Sequence, residues 1–568
     1  MNQQLPTLVS SKLDAKDDEV LFVALGGIGE IGMNLYCYGH AGRWLLVDFG
    51  VTFADHHAPG IDIITANIAF LEDNKDNIEA LVLTHAHEDH LGALPYLWDL
   101  LEVPVYATPF GAAMARTKLQ QSSLAEAVDC INIVEVGSKV QLGPFDVTFH
   151  PMSHSTLEAC ALIIDTGIGR LFHTGDWKND PSPQIGQPID EEKLRALGEE
   201  GMLAVIGDST NAMEAGVSGS EQEVANGLIK AVEACKGGRA VVTCFATNVA
   251  RMQSAMRAAE VTGRRVAVAG RSIHRVLGCA REAGYLQDMP PLVPEEKVAQ
   301  IPRDELLLIC TGSQGEGRAA LARIAQRKHN FIDLKAGDSV IFSSKTIPGN
   351  ENDVARVENK LAALGINLID NGRFKVHCTG HPRRDELRWL LRLLRPQILV
   401  PCHGERRHLN AHADLARQEG IPHTPVIVNG QVLRLDREGC TLMACLAEHG
   451  RWGVDGERLV DLQSSLFKER KRLMHNGIIH LATCVNSKGA IVASPKVFSL
   501  GVFDWDVDET EIIGEIEEEA WKALERLSKK ERRNDKNIEE TIRRALRGFL
   551  IRAIGRKPLI EITVSRCD

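Results

Sequence analysis

The sequence predicts an α/β protein in which a layered sheet sandwich is interrupted by a second α/β unit and followed by a small C-terminal α/β domain. Three observations carry this. Apolar runs end repeatedly in histidine or aspartate, at Leu81 to His90, at His150 to His154 and at Leu171 to Asp176, as if several strand ends met on one rim of a sandwich. From Glu221 to Ile369 helical and strand patterns alternate, as in a parallel α/β unit. After Gly450 the composition shifts toward a long charged helical stretch flanked by strands.

A chain of 568 residues exceeds what one core supports, so two or more domains are expected. The hydrophobic fraction of 44% and charged fraction of 25% suit a water-soluble globular protein. No secretory h-region opens the chain and no apolar run reaches the roughly twenty residues of a membrane span, so a cytoplasmic protein is expected. Thirteen scattered cysteines without a C-x-x-C pair read as free thiols of a reducing compartment. The net charge of −11 places any affinity for nucleic acid in local patches.

Taken in order, Gly27-Ile28-Gly29-Glu30-Ile31-Gly32 follows a strand and has the G-x-G-x-x-G form of a dinucleotide loop. Such a loop needs a helix next. Met33 to Tyr38 is strand-like instead, Gly39 to Gly42 is a turn and Trp44 to Asp48 a second strand, so a hairpin is expected. Asp48 closes that strand, where it reads either as a plain turn aspartate or as a carboxylate that orients a metal-bound imidazole. Next, the strand Ala80 to Leu83 runs into Thr84-His85-Ala86-His87-Glu88-Asp89-His90. Extended backbone puts His85 and His87 on one face, and four ligand-type side chains within six residues suit a pair of divalent ions. The plain alternative is two strand-end histidines and a helix-capping Asp89.

The residues from Ile61 to Asp73 read as a connector, Ala93 to Leu101 as an amphipathic helix, and Val105 to Ala107 and Ile131 to Val136 as strands. His154 and Asp176 then follow strand ends, with His150 and His173 as competitors for the same role. In the middle region helices are expected at Ala225–Ala234 and Val249–Thr262. Strands are expected at Ala240–Cys244, Arg265–Val268, Leu306–Cys310 and Ser339–Phe342. Phe245-Ala246-Thr247-Asn248 follows a strand and opens a helix, where free backbone N–H groups favour anions; Thr247 is the expected cap. His403 again sits just past an apolar strand, Leu399-Val400-Pro401-Cys402. Near it Arg373, Lys375, Arg383, Arg384, Arg388, Arg392, Arg395, Arg406 and Arg407 form a locally basic region, part of it the wet face of a helix and part able to attract phosphate. Beyond Arg451 to Gly456, read as a linker, strands at Ile478–Ala482 and Ala490–Ala493 precede a helical region from Asp508 to Arg552 and a last strand, Leu559–Val564.

With these residues in view, the chain resembles the metallo-β-lactamase superfamily, which carries H-x-H-x-D-H followed by a lone histidine and a lone aspartate. Further stretches resemble the ribonuclease J family of its β-CASP branch: Ile206 to Ala212, Cys310 to Glu316, Pro348 to Asn350, His377-Cys378-Thr379-Gly380-His381 and Pro401 to Glu405. The resemblance implies an αββα sandwich in two parts, 1–220 and 371–450, an inserted β-CASP domain, 221–370, a linker, 451–464, and a C-terminal domain, 465–568. It implies that His85, His87 and His154 hold one metal, that Asp89, His90 and His403 hold another, and that Asp176 bridges them. The implied cofactors are two divalent ions, zinc first, with manganese or magnesium as alternatives. The implied substrate segments are Phe245-Ala246-Thr247 and His377 to His381, and Asp176 is a catalytic carboxylate; His381, an imidazole able to donate a proton near neutral pH, is the candidate general acid or transition-state stabiliser.

The chain departs from the family at His154-Ser155-Thr156-Leu157-Glu158, where His-Ser-x-Pro-Asp is usual, and at Pro382, where a small residue is common. The function implied is a 5′-to-3′ exoribonuclease on single-stranded RNA with a 5′ monophosphate, with internal cutting as a second activity. It would act in mRNA decay and rRNA maturation. Self-association as a homodimer or homotetramer and contact with degradosome components are also implied. A small-molecule metallohydrolase of lactonase or thioesterase type, or a non-catalytic RNA-binding scaffold, are the alternatives. The long insert and the basic region speak against the first, and the complete ligand set against the second.

Overall fold

Val20–Gly26 and Leu306–Cys310 are buried at every residue, which explains why their sequences are continuous apolar runs rather than alternating ones. In the computed structural model, which describes residues 8–10, 13–54, 57–503 and 509–567, these strands lie in two different sheets of one compact unit. That unit comprises residues 1–52 and 64–451.

Its sandwich has two sheets. The first runs in the order Leu8–Ser10, Gly439–Ala447, Gln431–Asp436, Val20–Gly26, Leu35–His40, Arg43–Val47, Ile78–Val82, Val105–Ala107, Ile131–Ile133. The second runs Lys139–Leu142, Phe145–Pro151, Cys160–Asp165, Arg170–His173, Ala204–Asp208, Ile398–Cys402. Phe22, Tyr38, Leu45 and Val82 of the first sheet share a buried core with Phe149, Leu162, Ile206 and Val400 of the second. Outside the second sheet, Leu387, Leu390, Leu391 and Leu394 of the helix Arg384–Leu394 pack on Ile163, Phe172 and Val205. The expected hairpin is present as Leu35–His40 paired antiparallel with Arg43–Val47, so the glycine-rich segment before it opens no crossover helix.

The insert is an all-parallel sheet, Arg265–Ala269, Leu306–Cys310, Ala240–Thr243, Ser339–Phe342, Asn367–Ile369. Helices Glu221–Glu233, Val249–Val261, Arg271–Glu282 and Glu351–Ala363 accompany it. The chain then returns to the sandwich: Ile398–Cys402 pairs in parallel with Ala204–Asp208, and Cys402 stands opposite Asp208. One strand pairing thereby rejoins two segments separated by the whole insert.

The second unit comprises residues 53–63 and 452–568. Its strands Ile491–Leu500, Ile478–Val485 and Leu559–Arg566 form a sheet. Helices Glu509–Glu525 and Asp535–Ile554 bury Ile516, Leu524, Ile542 and Leu546 against Ile479, Leu481 and Ile562. Two helices therefore occupy the region read as one helical stretch; Asp508 lies outside the described residues. Two further expectations are corrected. The stretch from Arg451 that read as a linker carries a hairpin, Arg451–Asp455 with Arg458–Asp461, its turn supplied by Gly456 at φ 65°. The thiols are not all free: Cys484 and Cys567 are joined and eleven remain free. The parallel pairing of Ile478–Val485 with Leu559–Arg566 sets Cys484 opposite Ser565. It thus brings together two cysteines 83 residues apart, which no local spacing could suggest. No helix of the described residues is long and apolar enough to cross a membrane.

Candidate metal centre

Strand Arg43–Val47 ends in Asp48, fully buried and in the left-handed region at φ 62°. A non-glycine residue there is strained, and such strain collects at functional sites. The Asp48 carboxylate uses both oxygens: Oδ1 accepts from the Thr84 amide at 2.8 Å, and Oδ2 pairs with His90 Nδ1 at 2.7 Å. The Thr84 hydroxyl lies 2.9 and 3.0 Å from those oxygens and 3.0 Å from His85 Nδ1. Past Thr84 the chain turns into the short helix Glu88–Leu91, with His87 rather than Asp89 at its N-cap.

His85 Nε2 and His154 Nε2 each lie 3.1 Å from His87 Nδ1, so three imidazole nitrogens face one point. A second group surrounds the same carboxylate. His90 Nε2 and His403 Nε2 stand 3.2 and 3.4 Å from Asp176 Oδ2, and 3.6 and 3.8 Å from Asp89 Oδ2. Asp176 Oδ2 is also 3.9 and 3.8 Å from the Nε2 atoms of His85 and His154. The ligand-type atoms of each group lie within 4.8 Å of one another. Asp176 belongs to both.

The donor chemistry of this cluster fits divalent cations. Burial and then the neighbouring imidazoles hold His85 well below the ordinary histidine value, and burial above all does the same for His154 and takes His87 down to about 4. These rings are neutral and offer lone pairs. Burial opposes charge on His90 as well, but Asp176, Asp89 and Asp48 outweigh it and hold its proton well above the usual range. For Asp176 burial is outweighed by His403, His90 and His381, which keep it ionised far below the usual carboxylate range. A pocket that draws a proton this strongly draws a cation too. Asp176 Oδ1 and His403 Nε2 are buried without a hydrogen-bond partner, as atoms held ready for a metal ion are. His150 and His173 stand apart. His150 is buried against Phe172, and His173 Nδ1 meets the Tyr38 hydroxyl at 2.8 Å.

The segment His377 to His381 closes one side of this cluster. The Gly380 carbonyl accepts from His154 Nδ1 at 2.7 Å, and a Cβ on Gly380 would fall 2.9 Å from that ring. His381 Nδ1 pairs with Asp208 Oδ2 at 2.8 Å. Burial lowers the His381 value, but Asp208 and Asp176 push it up to about 9. Asn211 Nδ2 donates to Thr379 Oγ1 at 2.9 Å and to the His381 carbonyl at 3.1 Å. In the sequence, Asp208 and Asn211 stand out only as part of a family motif. The usable signal was an acidic residue closing the apolar strand Ala204–Asp208, the same pattern that marks Asp48.

Cys378 lines a cavity beside this segment, and its thiol is held by charged neighbours. It donates to Glu221 Oε1 at 3.2 Å and accepts from Lys178 Nζ at 3.2 Å. Around it, Arg251 forks onto Glu221 at 2.8 and 3.0 Å and donates to the Ser343 carbonyl at 2.8 Å. Lys178 pairs with Asp180 at 3.0 Å. Two cations and two anions are thus compensated in the interior, tying the insert to Lys178, two residues past Asp176. Beside this node a cavity of about 420 Å³ is lined by Ser313, Lys375, His377, Thr379 and Arg383 among others. Phe245, Ala246 and Thr247 are not part of that lining. The helix after them is capped by Asn248, which accepts from the Arg251 amide, rather than by Thr247. Most of the basic region has acidic partners: Arg388 and Arg392 meet Glu419, Arg395 meets Glu199, Arg407 meets Glu405 and Arg383 meets Glu214.

The two departures from the family pattern have structural consequences. Glu158 adopts φ 54° and accepts from the amide of Phe110, at the start of the helix Pro109–Gln120, at 2.6 Å. Pro382 is buried just before the helix Arg384–Leu394, and Glu386 accepts there from the amides of Arg383 and Ser218 at 2.8 Å each.

Comparison with known proteins finds four matching family models. They are the ribonuclease J β-CASP domain over residues 237–361 and the ribonuclease J C-terminal domain over 465–567. A β-lactamase superfamily domain matches 43–198 and a Zn-dependent metallo-hydrolase RNA specificity domain matches 372–426. Ribonuclease J of Sinorhizobium meliloti is 40% identical over 556 residues, covering 97% of this chain and 98% of that one. Ribonuclease J 1 of Streptococcus pyogenes is 34% identical, with the same coverage. Ribonuclease J of Mycolicibacterium smegmatis is 36% identical over 95% of this chain and 96% of its own. A crystal structure of a protein of unknown function from Enterococcus faecalis aligns with a TM-score of 0.52 at 16% identity, over 73% of this chain and 100% of that one; it speaks to fold alone.

Proposed function

The chain belongs to the ribonuclease J family and is a metal-dependent ribonuclease, and from that premise we propose that it removes nucleotides from the 5′ end of single-stranded RNA, preferring a 5′ monophosphate, with internal cutting as a second mode. The observation that carries this reading is the wall His377 to His381, whose backbone and side chains touch the candidate metal ligands directly.

His85, His87 and His154 would hold one divalent ion and Asp89, His90 and His403 the other, with Asp176 serving both. Zinc is the first choice and manganese or magnesium the alternatives, since imidazole and carboxylate accept all three. When bound, such a pair supplies Lewis acidity and an activated water for phosphodiester hydrolysis. His381 carries the proton. Asp208 holds its Nδ1–H and keeps the ring charged near neutral pH, so Nε2–H is the donor for the leaving 3′ oxygen. Thr379 Oγ1 already accepts from Asn211 and from the His381 amide, which leaves its own O–H for a terminal phosphate oxygen. Gly380 lets the backbone approach closely. Lys375 adds positive charge at the cavity. A triphosphate brings charges that such a pocket leaves poorly matched. Phe245, Ala246 and Thr247 remain candidates for contact with the next nucleotides.

Self-association as a homodimer or homotetramer is proposed from the presence of the family's C-terminal domain. Work in mRNA decay and rRNA maturation, with degradosome partners, rests on family membership. A cytoplasmic location is proposed on family membership. The test is the rate on matched RNAs bearing 5′-monophosphate, 5′-triphosphate or 5′-hydroxyl ends, for wild type and Thr379→Val. Wild type should degrade the monophosphate fastest and Thr379→Val should lose most of that preference. Equal rates on all three ends would refute the phosphate-reading pocket, and full preference in Thr379→Val would move it elsewhere.

A further inference from the structure

The glycine-rich segment Gly26–Gly32 is not a dinucleotide loop, and its purpose is visible in what a side chain there would displace. A Cβ on Gly27, which sits at φ 80°, would fall 2.3 Å from the Tyr36 hydroxyl and 2.5 Å from Asn34 Oδ1. One on Gly26 would fall 1.8 Å from the Met33 carbonyl. The missing side chain of Gly27 makes room for one buried amide, that of Asn34, and the missing side chain of Gly26 for the Met33 carbonyl just before it.

Asn34 is fully buried and uses both ends of its side chain. Oδ1 accepts from the Tyr36 hydroxyl at 2.8 Å and faces His403 Nδ1 at 2.9 Å. Nδ2 donates to the Asp89 carbonyl at 2.9 Å and lies 3.1 Å from His90 Nε2. The orientation is unambiguous. A backbone carbonyl can only accept, so the atom facing Asp89 must be the NH₂, and the atom facing His403 must be the oxygen. An amide oxygen only accepts, so His403 must carry its proton on Nδ1 and leave Nε2 as a lone pair. That Nε2 is the buried atom without a partner, 3.4 Å from Asp176 Oδ2. Gly27 completes the hold, since its carbonyl accepts from the His403 amide at 2.7 Å.

The contacts are one-sided. Asn34 touches His403, His90 and the Asp89 backbone, all of one metal group. In the other group, His85 is backed by Thr84 and His154 by the Gly380 carbonyl. We propose that Asn34 is a positioning residue for the Asp89–His90–His403 site alone, locking His403 in the Nδ1–H tautomer, and that Gly27 is the glycine that seats its amide. This rests on the assignment of those residues as metal ligands made above. Tyr36 is the anchor behind it. Burial keeps its phenol protonated far above the usual range, so it donates to Oδ1 at every working pH.

The test is Zn²⁺ titration of chelator-stripped full-length protein, read by competition with a chromophoric chelator, for wild type, Asn34→Leu and Asn34→Asp. Wild type should show two tight equivalents. Asn34→Leu, which removes the acceptor, should weaken one equivalent by about 10- to 100-fold, the usual loss when a metal ligand is deprived of its hydrogen-bond partner, and leave the other unchanged. Asn34→Asp keeps an acceptor toward His403 and should recover most of the affinity. If Asn34→Leu does not fold, Asn34→Ser withdraws the acceptor without bulk and is read the same way. Two unweakened equivalents in Asn34→Leu, equal weakening of both sites, or an Asn34→Asp as weak as Asn34→Leu would each overturn this inference while leaving the ligand assignment intact. Fewer than two equivalents in wild type would overturn the ligand assignment and this inference with it.

Discussion

At the scale of residues, Asp176 Oδ2 lies within 3.9 Å of the Nε2 atoms of His85, His90, His154 and His403. A single carboxylate serving both groups should be the least replaceable side chain. Asp176→Ala is expected to abolish hydrolysis and to lower bound metal from about two ions per chain, the count of a two-metal site, to fewer than one by elemental analysis. His85→Ala should abolish hydrolysis yet retain one. His381 gives a pH signature. Its acid form, favoured up to about pH 9 by Asp208 and Asp176, is lost as pH rises through that value. The rate should therefore fall on the alkaline side, and Asp208→Asn should move that fall toward neutral pH, as a pH–rate profile would show. The candidate metal ligands were legible in sequence because His85 to His90 follow one apolar strand and His154, Asp176 and His403 follow three others, and that pattern is local. Asn34 was not, because its partner His403 lies 369 residues away; for Asp208 the strand-end pattern was there, but not its partner His381, 173 residues on. An asparagine after a glycine run carries no signal until the fold brings a histidine to it.

At the scale of elements, the helix starts Glu221 and Val249, the strand end Phe342-Ser343 and the wall His377-Cys378 meet at the buried Glu221–Arg251–Lys178 node. Burial would raise the Glu221 value, but Arg251 and Lys178 bring it down to about 2. The folded value is thus below the unfolded one. Its contribution to stability is complete above about pH 4.5, the ordinary glutamate value, and is lost as pH falls toward 2. Glu221→Gln should flatten the acid limb of a stability–pH curve in that window. Arg251→Met leaves a buried carboxylate short of its main partner and is expected to cost about 3–5 kcal/mol in chemical denaturation. An unchanged midpoint would mean the node carries no stability. The parallel insert was legible from alternating helix and strand patterns. The hairpin after Arg451 was not, because Arg-Trp-Gly-Val-Asp-Gly is short, polar and glycine-containing, and only pairing with Arg458–Asp461 makes it a strand.

At the scale of the molecule, one chain leaves the sandwich after Asp208, builds a parallel α/β insert, and re-enters at Ile398–Cys402 beside the strand it left. That return sets His403 next to Asp176 and carries His381 to Asp208, so the candidate metal groups and the His381–Asp208 pair draw on segments from both sides of the insert. The insert contributes Ser313 and the return segment contributes Lys375, His377 and Thr379 to one cavity beside the candidate ligands. The proposed reaction is metal-dependent cutting of RNA from its 5′ end. Single-stranded RNA with a 5′ monophosphate, labelled at either end, should be incubated with wild-type protein with and without chelator. The 5′ label should appear at once as a mononucleotide while the 3′-labelled strand shortens progressively, and both should stop with chelator. Early release of the 3′ label as a mononucleotide, or undiminished cleavage in chelator, would contradict it.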